Sequence, residues 1–94
     1  MRVRWLTGAL ANLEAEAEYI ARDNSRAAAG MVQAVHEAVN RLQQFPALGR
    51  PGRVVGTREL VISGTPYIVP YRVRNNEIQI LRVFHGARKW PSKL

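Results

Sequence analysis

The spacing of apolar positions along the chain predicts its elements. Residues 2–6 alternate around Val3 and Trp5 and read as a short strand. Leu10, Leu13, Ala17 and Ile20 then recur at three- and four-residue steps, the stripe of an amphipathic helix, with Thr7 placed to cap its start. Asp23-Asn24-Ser25 breaks that stripe, and Ser25 is the expected cap of a second helix. The second stripe is Ala28, Met31, Val32, Val35, Val39 and Leu42, ending near Gln44, with Glu37 and Arg41 at i and i+4 on its surface. Two helices joined by so few polar residues predict an antiparallel hairpin.

Pro46, Gly49, Pro51 and Gly52 punctuate a loop, after which the period changes from helical to β. Residues 54–62 read as one strand, in which Gly56 offers a bend, and Ser63 to Pro66 read as a turn. Residues 67–74 and 77–85 form two more strands around Asn75-Asn76, a pair that tolerates the positive φ of a two-residue primed turn. That turn sets Arg74 opposite Glu77, Arg72 opposite Gln79 and Tyr71 opposite Ile80. It puts Tyr67, Val69, Tyr71, Val73, Ile78, Ile80 and Phe84 on the face meant for the helices. Arg72, Arg74, Glu77 and Gln79 take the other face. Pro70 conflicts with a regular ladder, because proline has no N–H to donate, and a bulge there would change which residues face outward beyond it. Trp90 is expected to pack over the end of the sheet. The order β-α-α-β-β-β makes an α+β fold: a helix hairpin on one face of a mainly antiparallel sheet.

Composition narrows the chemistry. Ninety-four residues make a single domain, 1–94. There is no cysteine, which removes disulfides, thiolate metal sites and thiol catalysis. No segment resembles a signal peptide or a membrane span, so the expectation is a cytoplasmic protein with no membrane partner. The net charge is +7, and twelve of the 14 cations are arginine. Residues 1–45 carry five cations and five anions; residues 46–94 carry nine cations and two anions. The excess therefore belongs to the sheet half, and it points to an acidic partner.

The chemistry-bearing residues are few. Two histidines, His36 and His85, stand far from any carboxylate cluster, which leaves no metal set, and Ser25, Ser63 and Ser92 fall in a cap, a turn and the tail. Neither a P-loop nor a dinucleotide fingerprint occurs. His85, followed by Gly86 and close to Arg82, Arg88 and Lys89, reads as a base or as a strand-end histidine bonding a local carbonyl. Arg72 reads as a phosphate clamp or as a solvated strand arginine. Glu59 reads as an ion-pair partner ahead of a general base.

Three pieces, Arg58-Glu59-Leu60, YIVPYRV (67–73) and ILRVFHGARKWP (80–91), resemble the C-terminal part of the RelE/ParE toxins of bacterial type II toxin–antitoxin systems. The Trp5-Leu6-Thr7 start and Tyr19-Ile20-Ala21 extend the resemblance over essentially the whole chain. It implies the helix-hairpin-on-sheet fold and no cofactor. It also implies neutralisation by an antitoxin that carries a ribbon-helix-helix DNA-binding domain and an acidic C-terminal segment, in a heterotetramer or larger complex. Arg53, Arg58 and Arg82 are then candidate charge partners for that segment. The outer groove of the helix hairpin near Leu13 and Tyr19 is the candidate apolar seat.

The implied target divides by subfamily. ParE-like members act on DNA gyrase without degrading RNA; RelE- and YoeB-like members cleave mRNA on the ribosome. For the nuclease alternative, Arg72 matches the phosphate-steadying arginine, His85 the C-terminal histidine of YoeB-like enzymes, and Arg88 lies near a basic position of RelE-like enzymes. The chain departs from the nuclease pattern, with no lysine before Lys89, no tyrosine after Tyr71 and Gly86 directly after His85. The H-G-A-R-K-W-P ending resembles ParE, so gyrase poisoning is the leading expectation, with the ribosome and mRNA as the alternative. A plain basic nucleic-acid-binding module stands behind both.

Overall fold

The computed structural model describes residues 1–91, 93 and 94; Ser92 lies outside them. Strand β1 (Arg2–Trp5) leads into helices α1 (Thr7–Ala21) and α2 (Ser25–Asn40), and α2 ends in a 3-10 turn (Arg41–Gln43). Then come β2 (Arg50–Pro51), β3 (Arg58–Val61), β4 (Tyr67–Arg74), β5 (Glu77–Ile80) and β6 (Phe84–His85). The sheet order is β1-β5-β4-β3-β2, with β6 also on β4. All pairs are antiparallel except β1 with β5, which is parallel. The hairpin covers one face of this sheet, as the periodicity implies.

Both helix starts differ from expectation. Thr7 is the first residue of α1, and the cap position is Leu6, which gives no side-chain cap. Asn24, not Ser25, caps α2: its Oδ1 accepts from the Ala27 amide at 3.0 Å. On α1, Ala9 and Leu13 face the core while Leu10 is 51% exposed. The stripe is therefore rotated by about one position relative to the reading from Leu10.

The Asn75-Asn76 turn behaves as its residues require. Both have positive φ, 54° and 57°, and the register Tyr71–Ile80, Arg72–Gln79, Arg74–Glu77 follows from it. Val73 is on the expected face but 47% exposed, so the apolar cover stops short of the turn.

At Pro70 the ladder slips. Ile80 pairs with Tyr71, yet Phe84 pairs with Ile68, so residues 81–83 contain one more residue than the facing stretch of β4. This bulge lies where proline has no amide to give. Its freed groups are taken up elsewhere: the Leu81 amide donates to the Pro70 carbonyl at 3.0 Å, and the Val83 amide donates to Asn12 Oδ1 of α1 at 3.1 Å. The slip corrects the assignment of Phe84. It turns outward, opposite Ile68, and Val83 takes the inner position. The reading of 54–62 as one strand is also shortened, because residues 54–56 form a turn with Gly56 at φ 84° and only Arg58–Val61 pairs.

Candidate functional site

Three places gather the residues with chemistry. The first is a cleft of about 610 Å³ between the helix hairpin and the end of the sheet. The bulge builds it, since the one-residue slip sets His85 opposite Tyr67 on the inner face. The two rings meet edge to face with centroids 5.7 Å apart. Tyr67 donates its hydroxyl to Glu16 Oε1 at 3.0 Å, and Arg88 Nη1 holds Glu16 Oε2 at 2.8 Å. One carboxylate on α1 thus ties β4 and the C-terminal tail to the hairpin. Burial, followed by the bond to Glu16, pushes the Tyr67 hydroxyl up to about 12. His85 Nδ1 accepts from the Ala87 amide at 3.2 Å, which turns Nε2 toward the cleft side of the ring as its remaining polar atom. Exposed Tyr19 stands at the cleft mouth, with the Arg22 guanidinium 5.9 Å over its ring.

The second place is the outer face of the sheet. Arg72 Nε donates to Gln79 Oε1 at 2.7 Å, and Gln79 itself is 4% exposed. Farther along the same face Glu59 is buried among donors: Arg50 Nη2 at 3.1 Å, Arg53 Nε at 3.3 Å and the Arg53 amide at 2.8 Å. This is the ion-pair role expected of Glu59, with Arg50 and Arg53 as partners. Arg53 also stacks on Trp90, 3.7 Å from its centroid, and Trp90 packs on outward-facing Phe84. The tail therefore closes one end of the outer face, which explains why Trp90 sits where it does.

The third is a groove of about 500 Å³ along the outside of the hairpin, floored by Ala17, Ala21, Ala28, Ala29 and Val32. The expected apolar seat near Leu13 and Tyr19 does not coincide with this groove. Leu13 is 7% exposed and belongs to the core, because its turn of α1 points at the sheet. Tyr19 is 61% exposed but lines the cleft beside the groove.

The remaining candidates scatter. Arg58 donates to the Gly49 carbonyl at 2.8 Å, on the inner side next to Tyr71. Arg82 crosses the first turn of α1, lying on Gly8 where any Cβ would overlap its guanidinium, and donates to the Leu81 carbonyl at 2.9 Å. Arg53, Arg58 and Arg82 therefore occupy three separate parts of the surface. Arg72 and His85 are on opposite faces of the sheet, and Arg72 is five residue steps along β4, about 16 Å, from Tyr67, His85's partner. Arg88 stands with His85 in the cleft but is engaged by Glu16. His36 is exposed against Trp5 at 5.2 Å. No group of three or more metal-ligating side chains forms among the described residues, and no described helix is long and apolar enough to cross a membrane.

The link between Glu16 and Tyr67 is not legible in the sequence: Tyr67 reads there as core, and the two residues lie 51 positions apart.

Known proteins place this architecture. The model of the ParE toxin of the type II toxin–antitoxin system parDE matches residues 3–90. Y4kP of Sinorhizobium fredii is 44% identical over 93 residues, covering 99% of this chain and 96% of that protein. Toxin RelE2 of Caulobacter vibrioides is 34% identical over 87 residues, covering 93% of this chain and 97% of that toxin. Among solved structures, one of the chromosomal ParDE system of P. aeruginosa superposes with a TM-score of 0.82 at 36% identity, covering 90% of this chain and 95% of the other. The RelBE2 toxin–antitoxin complex of Mycobacterium tuberculosis gives 0.64 at 29% identity, with coverage of 89% and 95%. The chain belongs to the RelE/ParE family of type II toxins, on the ParE side.

Proposed function

We propose that this toxin arrests growth by poisoning DNA gyrase in the cytoplasm, without cleaving RNA. The observation that carries the reading is the separation of Arg72 from His85. A base and a phosphate-steadying arginine must converge within hydrogen-bond reach of one phosphodiester, and opposite faces of a sheet do not allow it.

Neutralisation falls to an antitoxin with a ribbon-helix-helix domain and an acidic C-terminal segment. The ParDE and RelBE2 neighbours are named for toxin–antitoxin assemblies, which supports such a partner. The alanine-floored groove would seat its apolar residues, Tyr19 would border them, and Arg53, Arg58 and Arg82 would meet its charge.

The ribosome remains the second reading because a relative of 34% identity is named RelE2. Purified toxin is expected to block gyrase supercoiling or trap cleaved DNA. His85→Ala is expected to stay toxic. Loss of toxicity in that variant, with message cut by the wild-type chain only in translating ribosomes, would replace gyrase by the nuclease reading.

A further inference from the structure

The parallel pairing of β1 with β5 assembles a lattice that linear charge counting divides between two halves of the chain. Arg2 and Arg74 both pair with Glu77, on its two sides; Arg4 and Arg72 both pair with Gln79. Two adjacent rows result on the outer face, Arg–Glu–Arg and Arg–Gln–Arg. With strands about 4.8 Å apart and alternate residues about 6.7 Å apart, the four arginine backbones mark a rectangle of about 10 by 7 Å.

The centre is ordered and the cations are available. Gln79 is buried, accepts from Arg72 Nε at 2.7 Å and donates to Glu77 Oε1 at 2.9 Å. Glu77 also receives Arg4 at 3.1 Å and Arg2 at 3.6 Å. Arg2 and Arg4 remain 78% and 55% exposed in their side chains. The guanidinium of exposed Arg74 has no hydrogen bond or ion pair among the described residues. One carboxylate cannot neutralise four guanidinium groups, so the lattice keeps a charge of +3. The Gln79 row contributes no carboxylate of its own, and its Arg4 shares Glu77 with Arg2. All four are arginines, whose planar fork matches phosphate oxygens two at a time.

We infer that this arginine lattice, made by β1, β5 and β4, is a docking surface for the phosphate backbone of duplex DNA. The choice of DNA rests on the gyrase reading, since gyrase presents DNA; the anion-binding character rests on the lattice alone. Arg4 and Arg72 grip one phosphate across Gln79, and Arg2 and Arg74 contact the next. Contacts of this kind position the protein without reading base sequence.

The test uses the full chain and a labelled duplex oligonucleotide, followed by fluorescence anisotropy across a salt series. Arg72→Gln with Arg74→Gln is expected to weaken binding about tenfold and to flatten the log–log salt slope by about 2, one unit per lost phosphate. Arg2→Gln with Arg4→Gln, reaching the surface from another strand, is expected to do the same, with folding of each checked by its melting curve. Arg26→Gln with Arg41→Gln removes equal charge from the helical layer and is expected to leave the affinity within about twofold. Equal weakening by all three pairs would mean general charge and would overturn the lattice. Tighter binding of poly-glutamate or of single-stranded RNA than of the duplex would overturn DNA as the partner. Duplex binding without gyrase inhibition would keep the lattice and remove the gyrase reading; gyrase inhibition without duplex binding would do the reverse.

Discussion

On the inner side of β4, Tyr67, Val69 and Tyr71 are 4%, 0% and 0% exposed and contact the hairpin core. On the outer side of the same strand, Ile68 and Arg72 are half-buried and Arg74 is open to solvent. The inner face is held by burial of apolar area, which is non-directional and indifferent to salt. The outer face is held by arginines around two glutamates, which is directional and sensitive to salt and pH. One strand thus separates a face that keeps the fold from a face with charge left over for a partner. Substitutions on the two sides should fail in different ways.

The largest effect is expected on the inner face. Ile80 is fully buried between Trp5 of β1 and Tyr71 of β4. Ile80→Ala should cost about 2–5 kcal/mol, with a melting temperature lower by about 10 °C or more. That cost should be the same at low and high salt. A strong salt dependence would break the division between the faces.

Next comes Glu59, on the outer face yet 3% exposed. Glu59→Ala leaves Arg50, Arg53 and the Arg53 amide without their acceptor, a loss of about 2 kcal/mol once the exposure of both arginines is allowed for. It should also loosen Trp90, because Arg53 is fixed between Glu59 and that ring. Tryptophan fluorescence reads this directly. An unchanged spectrum would show that Trp90 is held without Arg53, by Phe84 and the bond from its Nε1 to the His85 carbonyl.

The difference between faces also explains which features the sequence makes legible. The register near the turn was legible because Asn75-Asn76 admits few geometries and no bulge intervenes before Tyr71. Pro70 announced a disturbance, but proline does not say which strand absorbs it; the extra residue lies opposite, in 81–83. From that one slip follow the outward turn of Phe84 and the meeting of His85 with Tyr67. Parallel pairing of β1 was invisible, because no short turn links it to β5 and the choice is made by tertiary packing. So Arg2 and Arg4 counted as part of a neutral half, although they stand beside Arg72 and Arg74. Leu13 failed as an external anchor for a similar reason: a helical stripe tells that a face is apolar, not which neighbour covers it.

Tyr67 joins the two regimes, since its ring is in the core and its hydroxyl is on Glu16. Tyr67→Phe removes that bond at a cost of about 1 kcal/mol near neutral pH. Because the folded value is raised to about 12 from 10.0, the Tyr67 contribution is fully present below pH 10 and is lost as pH rises toward 12. Burial raises Tyr71 as well, but that change is common to both proteins and cancels. The wild-type chain should therefore lose up to about 2 kcal/mol relative to the variant across that window, and the order of stability should reverse. Denaturant melts at stepped pH check this. Parallel curves would mean that Tyr67 ionises as freely as in the unfolded chain.

The smallest effect is expected at Glu77, the other outer glutamate. Its bond from Gln79 comes first, with Arg4 and Arg2 behind it, and together they hold its carboxyl below the ordinary 4.5. A lowered value contributes stability above the unfolded pKa and loses it as pH falls, so wild type should weaken below about pH 4.5 relative to Glu77→Gln. The Glu77 carboxylate is less buried than that of Glu59, 12% against 3% exposed, so the difference should disappear in about 1 M salt, where the Debye length is about 3 Å. The same substitution raises the lattice charge from +3 to +4. Glu77→Gln should therefore bind the duplex oligonucleotide more tightly while folding slightly less well. Stability and affinity moving in opposite directions would separate an outer face arranged for a polyanion from one arranged only for solubility; a Glu77→Gln chain that loses both would place Glu77 with the structural glutamate Glu59 instead.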